Sequence, residues 1–293
     1  MQTLILVVLL GAVLSFLSTT VQQQVRSTFQ RQPRLIWAVP VLLTGVFNAA
    51  AALASACSWK LCLLVFAYTA MPVCCAALQG AGFVKRPKAM DFFTILLLWL
   101  PLELAAGARF VPRPAQGYLH SVAYGIAILL GLLLFLGYRW FPDLKFNLWR
   151  ARRDWWLPMA GFAAVAPVLI FLGIAIGFIP PPHFPVKSAG SMAGALLLIF
   201  FGTALPEEIL FRSLIQNLLA LRFGASIPTL LGASFIFGCA HLNNGPQALP
   251  NWRYMILATI AGFAYGFVFR RASTVLSSAA LHMLVDGTKH FFF

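Results

Sequence analysis

Charged side chains are scarce in this chain, and acidic ones are the scarcest. Seven Asp and Glu stand among 293 residues, and only 10% of positions carry Asp, Glu, Lys or Arg. A soluble domain needs about 25% charged residues to face water, so that class is excluded. Lipid must be the solvent for most of the chain, as a 61% hydrophobic content and a mean hydropathy of +0.87 require. Cysteine is sparse as well. Cys57, Cys62, Cys74, Cys75 and Cys239 are odd in number and lack the paired spacing of a zinc site, which excludes a disulfide scaffold and leaves them as packing residues. Cys57 and Cys62 are the one pair near enough in sequence to bridge outside the membrane. The first apolar run has no basic leader and no small-residue cleavage site, so it is read as a retained anchor.

What the chain has in abundance is long apolar runs. A helix crosses a hydrocarbon layer in about 20 residues. Runs of that order lie near 2–21, 36–56, 61–80, 91–107, 119–138, 157–179, 190–210, 226–241, 255–269 and 273–289. They predict an all-α fold, a polytopic transmembrane helical bundle of eight to ten spans. The net charge of +14 reports topology and not nucleic acid, because the cations fall between runs. One set of alternate loops holds 15 of the 21 Lys and Arg: Arg26, Arg31, Arg34, Lys85, Arg86, Lys88, Arg139, Lys145, Arg150, Arg152, Arg153, Arg212, Arg222, Arg270 and Arg271. The other set holds Lys60, Arg109, Arg113, Lys187, Arg253 and Lys289. The positive-inside rule places the richer set in the cytoplasm and the N-terminus outside.

Three segments follow. Residues 1–138 are transmembrane helices of unassigned role; their one intramembrane acid, Glu103, lies near a span end, where it reaches the interface or Arg109. Residues 139–155, basic and rich in tryptophan, read as an amphipathic cytoplasmic linker at the membrane surface. Residues 156–293 carry the chemistry, for Glu207, Glu208 and Asp286 lie in apolar helices there with His241 and His282. Each such charge facing lipid costs on the order of 3 kcal/mol, so these residues are expected to face one another or a wet cavity.

Adjacent helical residues point about 100° apart, so Glu207 and Glu208 cannot share one task. Glu208 pairs with Arg212 at i,i+4, with the acid on the favourable N-terminal side. Glu207 is left to face another helix, beside a turn that Pro206 loosens. Gly224 lies 17 residues after Glu207 and 17 before His241. In an antiparallel hairpin turning at Gly224, the two therefore meet at one depth, about 25 Å from the turn. A carboxylate and an imidazole at one level can share a water. His282 and Asp286 again lie at i,i+4 on the last helix.

Glu207-Glu208-x-x-x-Arg212, Phe237-x-x-x-His241 and His282-x-x-x-Asp286 resemble, in order and spacing, the motifs of the CAAX-protease and bacteriocin-processing family of intramembrane endopeptidases, similar to the type II CAAX prenyl endopeptidases. The resemblance covers about 190–290. It implies an intramembrane hydrolase of glutamate type, acting on a prenylated or otherwise membrane-associated peptide, in membrane lipid and without nucleic acid. Glu207 would be general base, with His241 sharing the attacking water. His282 would stabilise the oxyanion. Asp286 stands where the family often has Asn; an ionised carboxylate cannot donate, so it orients His282 or is held protonated. Glu208, Arg212 and Phe237 would support the site. The reading needs no cofactor; if a divalent metal such as zinc takes part, Glu207, His241 and His282 are its ligands. The location implied is the plasma membrane of a bacterium, with the site near the cytoplasmic side. Two other readings use the same residues: a non-proteolytic scaffold or bacteriocin-immunity protein, and a proton-coupled transporter, the latter weakened by the lack of an internal repeat.

Overall fold

The computed structural model describes residues 1–184, 188–245 and 247–293. Lys187, counted above as an outer-side cation, and Pro246, in the loop after His241, lie outside them. The apolar runs fold as helices because in lipid every backbone N–H and C=O must find its partner within its own segment. Among the described residues these are α1 (Gln2–Ser15), α2 (Thr19–Arg31), α3 (Ala38–Leu53), α4 (Trp59–Ala77), α5 (Ala89–Glu103), α6 (Arg113–Leu132, continued as a π-helix to Tyr138), α7 (Arg153–Ala175), α8 (Ala189–Phe223), α9 (Ile227–Cys239), α10 (Trp252–Arg271) and α11 (Val275–Phe292). Two-residue strands β1 (Gly82–Phe83) and β2 (Arg139–Trp140) pair in parallel.

Six helices among the described residues are long and apolar enough to cross a membrane, and a seventh span results if α1 and α2, bent by 87° at their junction, count as one. The eight to ten runs expected from sequence are not all of this kind. Helices α5 and α9 have 15 and 13 residues, short of the crossing length. Helix α11 carries a polar stripe along its 18 residues.

The chain divides into two compact units, Met1–Asp143 and Leu144–Phe293. In the first, the carboxylate of Asp91 accepts from the Lys88 backbone N–H at 2.8 Å and caps α5, while Arg139 grips it from Nε (2.8 Å) and Nη2 (3.1 Å). Arg139, counted above as a loop cation, is therefore buried. Such a two-pronged pair is among the stronger ionic contacts. Glu103 accepts from the Trp99 indole at 3.2 Å, one turn back in its own helix, where an interface position or Arg109 had been expected. All five cysteines are free thiols, and Cys62 Sγ lies 3.0 Å from the Asn48 amide.

In the second unit the segment leading into α7 is tied to the α10–α11 turn. The Lys145 ammonium donates to the terminal carbonyls of α10 at Phe269 (2.9 Å), Arg270 (3.1 Å) and Ala272 (3.0 Å). Those carbonyls have no partner inside the helix, and a cation there also meets the helix dipole favourably. Asp154 is fully buried and accepts from the backbone N–H groups of Arg150 (3.1 Å), Ala151 (3.0 Å) and Ser273 (2.7 Å). These contacts set where α11 begins, and α11 carries half of the candidate site.

Candidate active site

Helix α8 brings in the acidic pair by a departure from α-helical winding. Leu205–Glu208 is one α-helical turn between two π-helical stretches, Phe200–Ala204 and Ile209–Gln216. Pro206 has no N–H to give, so the wider turn before it absorbs the missing bond. Wide turns of this kind re-aim side chains and gather at functional sites.

Glu208 is the most enclosed acid of the group, with a side chain 0% exposed, as is that of Arg212. Its Oε2 accepts from Arg212 Nε at 3.0 Å and from the Ser278 hydroxyl. Its Oε1 lies 3.2 Å from His282 Nδ1. Arg212, placed in a cytoplasmic loop by the charge count, is instead inside the bundle. Its guanidinium lies 4.9 Å from the centroid of the Phe237 ring and 3.5 Å from Gln216 Oε1, and Gln216 in turn donates to the Gly266 carbonyl at 3.0 Å. A carboxylate and an aromatic face this close offset part of the cost of burying the cation.

His282 is the hub. While Nδ1 faces Glu208, Nε2 faces two further carboxylates, Asp286 Oδ2 at 3.4 Å and Glu207 Oε2 at 3.9 Å. Both ring nitrogens thus face acceptors and are set to donate. Tyr265 stacks on the ring at 4.6 Å and Phe237 meets it edge-on at 5.8 Å, so its plane is held from both sides. Glu207 has a side chain 20% exposed against 0% for Glu208. Of the two glutamates, it is the one open to a substrate or a water.

His241 closes the ring of residues. Its Nδ1 lies 2.9 Å from the Phe237 carbonyl, and its ring packs against Phe237 at 4.8 Å and Tyr254 at 4.5 Å. A carbonyl can only accept, so Nδ1 carries the proton and Nε2 keeps its lone pair. Helices α8, α9 and α11 therefore converge on Phe237 as a shared wall, with Glu207 placed against His282 and His241 against Phe237 and Tyr254. His241, His282, Asp286, Phe237, Tyr254 and Tyr265 line a cavity of about 90 Å³ that continues between apolar side chains of α7, α10 and α11.

Sequence reasoning passed over Ser278, Gln216, Tyr254 and Tyr265. Ser278 carried a signal, since it lies one turn before His282 on the same face; the tyrosines carried none, being ordinary aromatics in apolar helices. Close packing of α10 also matters. A Cβ at Gly262 would sit 2.8 Å from Phe237 Cδ1. Among the described residues, no three His, Cys, Asp or Glu side chains are grouped as ligands for a metal ion.

No curated protein and no solved structure matches the chain. Residues 189–288 match the family described as type II CAAX prenyl endopeptidase Rce1-like. That segment contains all three motifs and lies in the second unit, so this integral membrane protein is similar over residues 189–288 to the Rce1-like type II CAAX prenyl endopeptidases.

Proposed function

We propose that the protein is an intramembrane endopeptidase that hydrolyses a peptide bond in a lipidated or membrane-associated peptide. The observation that carries this reading is His282, held between Glu208 on one nitrogen and Glu207 with Asp286 on the other, in the cavity that His241 also lines. In this mechanism one water directs its two hydrogens to Glu207 and to the free Nε2 of His241. As its oxygen attacks the carbonyl carbon, Glu207 takes a proton and the carbonyl electron pair moves to oxygen. His282 turns its single Nε2–H from Asp286 to that oxyanion, while Glu208 accepts at Nδ1 and holds the ring's orientation. The C–N bond then breaks as the proton on Glu207 passes to the leaving nitrogen, giving a carboxylic acid and an amine. No step requires a metal ion, and Glu207, His241 and His282 are the set a zinc ion would use.

The side of approach follows from charge. Lys145, Arg150, Arg152, Arg153, Arg222, Arg270 and Arg271 sit where α7 begins and where α8 and α10 end. The cavity lining runs to Phe178, Tyr254 and Lys289 at the opposite ends of the same helices. The positive-inside rule supports access from the non-cytoplasmic face of a bacterial plasma membrane, in place of the cytoplasmic approach expected from sequence.

The test is cleavage by the reconstituted protein of a prenylated C-terminal peptide and a panel of membrane peptides, with and without chelator. Wild type is expected to cut at least one. Glu207→Gln and His241→Ala are each expected to lose about 10²- to 10⁴-fold in turnover. Cleavage that survives both substitutions would overturn the assignment, and cleavage abolished by chelator would reassign the three residues to a metal. A folded protein that cuts nothing favours the scaffold or immunity reading.

A further inference from the structure

The first unit holds a cavity of its own, about 360 Å³ in volume and within the range of small-molecule sites. Phe47, Leu61, Leu64, Val65, Leu119 and Ala123 give it apolar walls. Tyr68 and Gln116 line it too, but spend their donors within the protein. The Tyr68 hydroxyl donates to the Leu98 carbonyl at 2.6 Å, and the Gln116 amide to the carbonyls of Ala108 and Val111, both at 3.1 Å. Walls of this kind suit hydrocarbon, which needs no hydrogen-bond partner. The lining runs from Leu61 to Tyr68 on α4 and from Gln116 to Ala123 on α6, seven positions on each, which makes the cavity about 10.5 Å deep. That is about a third of the ~30 Å hydrocarbon core, the depth of the upper part of one acyl chain.

Charge marks one end of this cavity. Of the six Lys and Arg in the cation-poor set of loops, three stand at the ends of lining segments: Lys60 beside Leu61, Arg109 beside Ala108, and Arg113 one turn before Gly117. All three are exposed, as is His120, two turns beyond Arg113 on the same face of α6. Lys60 lies 5.7 Å from the centroid of Trp59 and Arg109 4.8 Å from that of Phe110, with Trp59 of the kind that sits at headgroup level. Among the described residues none of the three cations is in an ion pair. The positive-inside rule puts them on the non-cytoplasmic side, where cations are otherwise few. A counter-charge for them comes from outside the chain. We propose that this cavity binds an anionic phospholipid of the outer leaflet, with one acyl chain between the apolar walls and its phosphate received by Lys60, Arg109 and Arg113. A zwitterionic lipid brings the same chain but a cation of its own, so charge selects the anionic one. The proposal uses the first unit alone and is independent of the endopeptidase reading.

Photolabelling tests the chain and the headgroup separately. Full-length protein in phosphatidylcholine nanodiscs receives, at low mole fraction, phosphatidylglycerol or phosphatidylcholine with a diazirine in the upper part of one acyl chain. Mass spectrometry is expected to find the anionic probe on peptides covering 61–68 and 116–123 about 10- to 100-fold more than the neutral one. Replacing Lys60, Arg109 and Arg113 together by Gln is expected to bring the two probes to equal labelling. Gly117 lines the cavity at a position where a Cβ meets nothing within 4 Å, so Gly117→Phe is expected to fill it and abolish labelling there by both probes. Ala123→Phe is the second filling variant. Gly45→Phe, equally open but outside the lining, is expected to leave labelling unchanged. Equal labelling by both probes in wild type overturns the proposal, as does a preference that survives loss of the three cations or labelling that both filling variants leave intact. Displacement of the probe by glycerol phosphate alone would reassign the cations to a soluble anion and overturn the acyl-chain site.

Discussion

Glu207 and Glu208 are neighbours in sequence with different surroundings, and substitution is expected to separate them. Glu208→Gln leaves Arg212 buried without its full counter-charge, and breaking a buried pair costs about 3–5 kcal/mol. Thermal unfolding in detergent is expected to show that loss, with cleavage falling alongside it. Glu207 is one-fifth exposed where Glu208 is fully enclosed, so Glu207→Gln is expected to unfold within about 1 kcal/mol of wild type while cleavage collapses. A common loss of stability in both variants would contradict this division. The contact of Glu208 with Arg212 was legible from spacing, because helical periodicity alone puts i and i+4 on one face. Its contacts with Ser278 and His282 were not, since those residues lie 70 and 74 positions further along and only packing brings them near.

At the level of elements, α10 is the helix on which the site leans. Its glycines let it approach α8 and α9 closely, and a Cβ at Gly262 would press on the Phe237 ring that separates Arg212, His241 and His282. Gly262→Ala is expected to cost about 1–3 kcal/mol by overpacking and to lower turnover by displacing that ring. Gly232→Ala, where a Cβ meets nothing within 4 Å, is the comparison and is expected to be neutral or slightly stabilising. Ser278→Ala removes a donor from buried Glu208 and is expected to cost about 1–3 kcal/mol in thermal unfolding. Helix existence was legible throughout, since apolar runs in lipid have few other options. The π-helical winding on both sides of Leu205–Glu208 was announced only by Pro206, and the close approach of α10 was not announced at all.

For the molecule as a whole, the charge distribution makes an orientation prediction. In sealed vesicles, a cysteine at Arg271 is expected to react with an impermeant thiol reagent from the cytoplasmic side, and one at His290 from the other side. Labelling of both from one side would contradict the assigned access. The sequence by itself determined that the chain lives in lipid, that it is helical, and which motifs resemble those of CAAX-type proteases. These are properties of composition and local spacing, which need no partner segment. Only the tertiary structure decided that Arg139 and Arg212 are buried partners of acids and not loop cations, that His282 is the common neighbour of three carboxylates, and that the cavity runs toward Lys289. The reason is physical: lipid selects helices one segment at a time, but which polar faces meet inside the bundle depends on how the helices pack.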